Sequence, residues 1–279
     1  MKKLAIIAGL GDLPVSIASA ATARGQAVHV FRLSGFEEKQ LEAFDHETIG
    51  LGQIGHLVKR LRKLGCEQVV MAGIVKRPNF TDIKLDLRGA KLLPRVLRAA
   101  RNGDDALLRV VIAELEAEGF EVIAAETAAS ELTIEEGVVF GRAPDESEMT
   151  DLRKAARIAA EMGRLDIGQG CVVCDGLVLA VEAQEGTDRM LERVASLDEE
   201  IRGGAGDRKG VLVKRPKPIQ ERRIDLPTIG PATIEGAAQA GLCGIGLEAE
   251  GALLLNRDKI GALCEEKGVF LFGFPKNWS

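Results

Sequence analysis

Strand and helix signals alternate through roughly the first 125 residues, and this alternation constrains the fold more than anything else in the chain. Residues 4–8 are a short apolar run ending at Gly9, and residues 14–24 have helical character with Gly25 as their stop. Residues 27–32 read as the next strand. In 54–64 the apolar residues Ile54, Leu57, Val58, Leu61 and Leu64 recur at helical spacing before Gly65. A buried-type strand follows at 68–73, a helix with acids in its first turn at 104–118, and a closing strand at 121–125. Such a series predicts a parallel sheet with helices on both faces, a Rossmann-like layer.

After about Thr127 the rhythm changes. An Ala-rich helix is expected at 150–162, strands at 171–174, 177–182 and 211–213, a helix at 190–196, Gly-punctuated strand candidates across 240–255, a helix at 257–267 and a last strand at 269–273. The expected organisation is an α/β protein: a Rossmann-like domain over 1–132, a polar linker over 133–150, and a C-terminal α/β domain of different topology over 151–279.

The 279 residues carry a formal net charge of −5, which disfavours general nucleic-acid binding. With nine Phe, one Trp and no Tyr, base-stacking platforms are scarce as well. The missing tyrosine also excludes the Tyr-x-x-x-Lys chemistry of short-chain dehydrogenases. Neither G-x-S-x-G nor a Walker A motif occurs. No apolar run reaches the ~18 residues of a membrane span, and the apolar start breaks at Gly9-Leu10-Gly11-Asp12. Five scattered cysteines form no disulfide framework, so a cytoplasmic location is expected.

Several segments could carry chemistry. Gly9-Leu10-Gly11-Asp12-Leu13-Pro14 follows the first strand and opens the first helix, a place where backbone N–H groups bind anions. It is not the dinucleotide fingerprint, because Pro14 stands where the third glycine belongs. Arg32 and Ser34, at the end of the second strand, could meet a 2′-phosphate. Gly73, Ile74 and Lys76 follow a later strand and are expected to share a crevice with Gly11, Asp12 and Leu13. Asp104 and Asp105 are either helix caps or ligands for a hard cation. Gly168-Gln169-Gly170 ends a strand or turn, and Gly186-Thr187-Asp188, leading directly into a helix, resembles an anion cradle. Cys171-Val172-Val173-Cys174 stands without a second zinc-spaced pair and reads as buried strand thiols. His29, His46 and His56 lie in separate elements.

The charge distribution adds one further signal. Residues 202–223 hold eight Lys and Arg against Asp207 and Glu221. Asp225 follows as an isolated carboxylate. A concentrated positive field beside a lone acid suits binding a polyanion and then reacting it, with Lys214 and its neighbours as the charge clamp.

Together these segments resemble the LpxI family of UDP-2,3-diacylglucosamine pyrophosphatases. The resemblance is carried by GLGDLP, MAGIVKRP, RNGDDALLR, DIGQG, EAQEGTDRM, VLVKRPKPIQERRIDLPTIG and the long segment from GPATIEG to VFLFG, in family order across essentially the whole chain. It implies a lipid A pathway enzyme that uses water and Mg²⁺, or a similar divalent ion, to cleave UDP-2,3-diacylglucosamine into UMP and 2,3-diacylglucosamine 1-phosphate (lipid X). It further implies a nucleotide-associated N-terminal domain, a C-terminal domain for the acylated sugar phosphate, a reaction between them, and a homodimer.

On this reading Asp225 is catalytic, either as general base or as metal ligand, and Asp188 and Asp104 are further metal candidates. Gly11, Asp12, Leu13, Gly73, Ile74, Lys76, Gly168, Gln169, Thr187, Asp188 and Lys214 contact substrate. The acyl chains need an apolar receptacle, expected from 229–255, and transient contact with the inner membrane follows from the lipid substrate. The competing readings are an NADP-dependent oxidoreductase, resting on Arg32 and Ser34, and a non-catalytic nucleotide-sugar or lipid carrier.

Overall fold

The computed structural model describes residues 1–76, 83–101, 104–218 and 226–278, without the side chains of residues 104 and 105. Contacts divide it into two compact units, the first running to Glu131 and the second beginning at Leu132.

The first unit contains β1 (Lys3–Ala8), α1 (Asp12–Ala23), β2 (Val28–Leu33), β3 (His46–Ile49), α2 (Ile54–Leu64), β4 (Cys66–Ala72), α3 (Leu87–Ala100), α4 (Asp104–Ala117), β5 (Glu121–Val122) and the short α5 (Ala125–Ala128). Its five strands pair in parallel in the order β3-β2-β1-β4-β5. That is the strand order of a doubly wound nucleotide-binding half, with its switch point between β1 and β4. Both sheet faces are covered, which explains the near-continuous apolar character of β1 and β4. Ala5 and Ile7 pack with Leu57, Val58 and Leu61 of α2 and with Ile112 and Leu115 of α4. Leu4 and Ile6 point the other way and are fully buried, and α1 packs across β1, β2 and β4 through Ile17, Ala18 and Ala21. Each large apolar side chain among these contributes roughly 1.5–3 kcal/mol by leaving water.

The second unit contains β6 (Gly137–Phe140), α6 (Glu146–Arg164), β7 (Gly170–Cys174), β8 (Leu177–Val181), α7 (Gly186–Ala195), α8 (Glu199–Arg202), β9 (Gly203–Gly204), β10 (Asp207–Arg208), β11 (Val211–Lys214), β12 (Thr228–Ile229), α9 (Pro231–Gln239), β13 (Gly244–Glu248), β14 (Leu253–Leu254), α10 (Arg257–Lys267) and β15 (Phe270–Phe274). Six strands form a mixed sheet in the order β6-β15-β13-β11-β7-β8. β11, β13 and β15 run parallel, and the antiparallel strands sit at the two sides. Alternation along the strands gives each face its own core. Cys171, Val173, Val211 and Val213 meet Leu152, Ala155 and Ala159 of α6. Val172, Leu212 and Ile245 meet Met190, Leu191 and Val194 of α7, Ile234 and Ala237 of α9, and Ile260 of α10.

Residues 133–150 are not a linker. They supply β6, which pairs antiparallel with β15, and the start of α6. The composition misleads because β6 is a half-exposed edge strand. The acids that follow form a capping box, in which Asp145 accepts from the Glu148 N–H while the Glu148 side chain accepts from the Asp145 N–H. Among the described residues no helix is long and apolar enough to cross a membrane.

Candidate functional site

In the second unit the site is built around one glycine. The backbone of Gly170 pairs with Lys214 at the end of β11, and its carbonyl accepts from the Glu182 N–H at 2.8 Å, just beyond β8. Lys214 and Glu182 are 4% and 6% exposed. Glycine is required beside them: a Cβ on Gly170 would lie 2.5 Å from Glu182 Oε2, and one on Gly168 would lie 1.8 Å from the Glu182 carbonyl oxygen. The glycines of Gly168-Gln169-Gly170 therefore make room for Glu182.

The two buried charges are joined through Thr187. Lys214 Nζ donates to Thr187 Oγ1 at 2.6 Å, and that hydroxyl donates to Glu182 Oε1 at 2.8 Å. Lys214 Nζ and Glu182 Oε1 stand 3.9 Å apart. An ammonium this deep needs a counter-charge and a good acceptor, and the triad provides both. Glu182 Oε2 and Gln169 Oε1 are buried with no hydrogen-bond partner among the described residues.

Thr187 also faces a cavity of about 530 Å³, lined by Glu185, Gly186, Asp188, Arg189 and Glu192 of the α7 end and by Thr228, Ala232 and Thr233 near the α9 end. Neither helix has a side-chain cap at its N-terminus, where α7 follows Glu185 and α9 follows Gly230 with Pro231 at its first position. Two helix N-termini thus open into one space. Their orphan N–H groups and positive dipole ends favour a phosphoryl group there.

The described cations of the basic run are engaged within the second unit. Lys214 is buried. Arg202 donates to the Leu197 and Gly203 carbonyls, Arg208 to the Ala238 carbonyl, and Lys209 pairs with Asp207. Arg215 pairs with Glu248 at 2.8 Å, and Lys217 with Asp166 at 2.9 Å. A count of charges could not reveal that these cations tie down their own unit. Arg222, Arg223 and Asp225 lie outside the described residues.

In the first unit the expected crevice forms at the β1–β4 switch point. Leu10 and Ile74 exchange backbone hydrogen bonds of 3.0 and 2.8 Å, and the Gly9 N–H donates to the Ala72 carbonyl at 2.9 Å. Gly73 adopts φ 94°, where a Cβ would lie 2.8 Å from the Leu10 carbonyl oxygen. Gly11, Gly73 and Ile74 therefore come together, with Asp12 and Leu13 in the first turn of α1 and Lys76 exposed just beyond Ile74. Ile74 is 65% exposed, an apolar platform beside the loop.

The loop is not an open phosphate cradle, because Glu38 Oε2 accepts from the Gly11 N–H at 3.2 Å. A carboxylate in that place suits hydroxyl donors better than a second anion. Arg32 is committed to Glu42 at 3.0 Å, which removes one of the two residues offered for a 2′-phosphate.

Comparison with known proteins decides the family. The model of the LpxI N-terminal domain matches residues 3–132, and that of the LpxI C-terminal domain matches residues 135–272. The chain is 51% identical over 273 residues to the UDP-2,3-diacylglucosamine pyrophosphatase LpxI of Caulobacter vibrioides, covering 98% of each chain. The chain belongs to the LpxI family. Among solved structures, the precorrin-6A reductase CobK and the UDP-glucose 4-epimerase of Thermus thermophilus align over 99% of this chain and 88% of theirs. At 12% identity and TM-scores of 0.32 and 0.30, these two likenesses carry no argument.

The candidate site residues fall into two sets: Gly11, Asp12, Leu13, Gly73, Ile74 and Lys76 in the first unit, and Gly168, Gln169, Thr187, Asp188 and Lys214 in the second. Glu182, Thr228 and Thr233 join the candidate site in the structure and are not among the residues the sequence offered for it. Their signals were present: Glu182 lies five residues before Thr187, and Gly230-Pro231-Ala232-Thr233 follows a strand as Gly186-Thr187 does.

The described residues do not form a metal cage. No group of three or more His, Cys, Asp or Glu among them could hold an ion, and the positive charge beside the buried carboxylate is Lys214 itself. Asp188 is at the cavity rim, whereas the Asp104 side chain and Asp225 lie outside the description. The Cys171-x-x-Cys174 thiols are buried, and burial pushes them up to about 12 and about 11, so both stay protonated and inert.

Proposed function

We propose that this LpxI-family chain hydrolyses the diphosphate bond of UDP-2,3-diacylglucosamine, releasing UMP and 2,3-diacylglucosamine 1-phosphate. The observation that carries the reading is the double role of Thr187, which lines the cavity between two uncapped helix N-termini and accepts from the buried Lys214.

A diphosphate diester carries two negative charges, so its hydrolysis needs charge stabilisation, in-line positioning and an activated water. The α7 and α9 N-termini supply preorganised donors for phosphoryl oxygens. Glu182 keeps the Thr187 hydroxyl pointed away from the cavity as a donor, so that its oxygen presents lone pairs to Lys214. In the first unit, the Gly11 and Gly73 loops with Ile74 form the proposed nucleotide crevice, Glu38 favouring contact with ribose hydroxyls over a phosphate.

Asp225 is the proposed acid that activates water or holds a divalent ion. Mg²⁺ or a similar ion, when bound, would neutralise phosphate charge and lower the pKa of a bound water. Asp188, at the rim of the α7/α9 cavity, is the described carboxylate proposed to hold it.

The test is release of UMP from UDP-2,3-diacylglucosamine by the purified protein, with Asp225→Ala alongside. The expected result is turnover by the native chain, and severe loss in the variant with substrate still bound. A folded native chain that binds substrate and releases no UMP would leave a carrier, and unchanged turnover in Asp225→Ala would remove that residue from the chemistry.

A further inference from the structure

Helix α3 packs chiefly on α4 and α2, so it forms an outer layer of the first unit. Its inward residues Gly89, Leu92 and Ala100 are buried. Its outward face is unusual for a chain of net charge −5. Residues 84–101 hold six Lys and Arg against one acid, Asp86. That acid is used up as the helix cap, accepting from the Gly89 N–H at 2.8 Å. At 100° per residue, Leu87, Lys91, Arg98 and Arg101 fall within an arc of about 80°.

Among the described residues, no acid neutralises Lys91, Arg98 or Arg101 on this arc. Of the acids on α4 and just after it, Glu114 pairs with Arg88 at 2.7 Å and reaches Arg95 at 3.7 Å, while Glu118 pairs with Arg88 and Arg62. Lys84, Lys91, Arg98 and Arg101 are exposed, with no acid paired to them among the described residues. Between them stand apolar side chains that a solvated face does not need: Leu87 is 87% exposed, Leu97 41% and Leu85 38%.

We propose that the outward face of α3 docks the protein on an anionic lipid surface. The combination selects that partner. Unpaired Lys and Arg are drawn to an anionic leaflet, while exposed leucines among them enter the headgroup boundary. The long stems of Lys91, Arg98 and Arg101 let their charged ends stay at headgroup level while their methylenes lie deeper. The proposal rests on this surface alone and stands whether or not the chain turns over its proposed substrate.

The experiment is flotation of the full-length protein with vesicles of phosphatidylglycerol and phosphatidylethanolamine, and with vesicles of phosphatidylcholine alone. The native chain is expected to float with the anionic vesicles, to be released by about 0.5 M salt, and to ignore the zwitterionic ones. Each basic residue near such a surface is worth roughly a factor of five. Lys91→Glu/Arg98→Glu/Arg101→Glu should therefore weaken binding by at least ~100-fold, and Leu87→Ser should weaken it without changing the salt dependence. Circular dichroism and UMP release from dispersed substrate should be unchanged in these surface variants. If the charge reversals disturb folding, Lys91→Gln/Arg98→Gln/Arg101→Gln serves in their place. Failure of the native chain to float with anionic vesicles, equal binding by the charge variants, or capture of duplex DNA instead of vesicles would overturn the proposal.

Discussion

Lys214 Nζ lies 2.6 Å from Thr187 Oγ1, so a lysine that the sequence presents as part of a basic run is held inside the second unit by a hydroxyl on the first turn of α7. The contact links the end of a core strand to the rim of the α7/α9 cavity. The buried charge and the proposed phosphate site therefore depend on one another.

Removing Lys214 should cost stability as well as activity. In Lys214→Met the Glu182 carboxylate keeps its burial and loses its cation, a loss of roughly 2–3 kcal/mol. Lys214→Met with Glu182→Gln should recover part of it, since the amide needs no counter-charge. Urea denaturation of the single and double variants measures the coupling. Equal loss in both would show that the two charges do not support each other.

Gly168 should not tolerate a methyl group. Its Cβ would meet a backbone oxygen, which cannot swing aside as a side chain can. Gly168→Ala should lose about 2 kcal/mol or more. Gly206→Ala, with nothing within 4 Å of the added carbon, should stay within about 0.5 kcal/mol. Thermal unfolding of the two separates steric demand from a general glycine effect.

Stability should fall at mildly acidic pH through His29. Burial holds its imidazole below the ordinary 6.5, against the raising influence of Glu47, whose Oε1 is 3.1 Å from Nε2. The unfolded chain then binds the proton more readily than the folded one. Stability is therefore complete above about pH 6.5 and declines as the pH drops below it. Denaturant midpoints at about pH 7.5 and pH 5.5 should differ less in His29→Gln than in the native chain. Equal differences would contradict the assignment.

What could be read from the sequence depended on whether a local signal existed. α2 and α10 end where Gly65 and Gly268 adopt left-handed backbone, and their bounds match the expected 54–64 and 257–267. The parallel first sheet followed from apolar runs alternating with helices. α3 did not, because Pro94 interrupts its middle and its basic residues mask the buried Leu92 stripe. β6 was hidden by its half-exposed edge position.

At the site, Thr187, Asp188 and the two glycine loops were visible as turn chemistry. The partnership of Glu182 with Lys214 was not, because the two lie far apart in sequence and only the β11–β7–β8 neighbourhood unites them. The partners of the basic run were hidden for the complementary reason: charge is visible in sequence, but what pairs with it is not.

The most direct test of the account is kcat/KM for UMP release from UDP-2,3-diacylglucosamine by Thr187→Val, a variant that keeps side-chain volume and removes the hydroxyl between Lys214 and Glu182. The account predicts a fall of at least ~10-fold in a protein that remains folded, with much of it in KM, because Lys214 loses its anchor beside the cavity. Unchanged kcat/KM in the folded variant would contradict the placement of the phosphate site between α7 and α9.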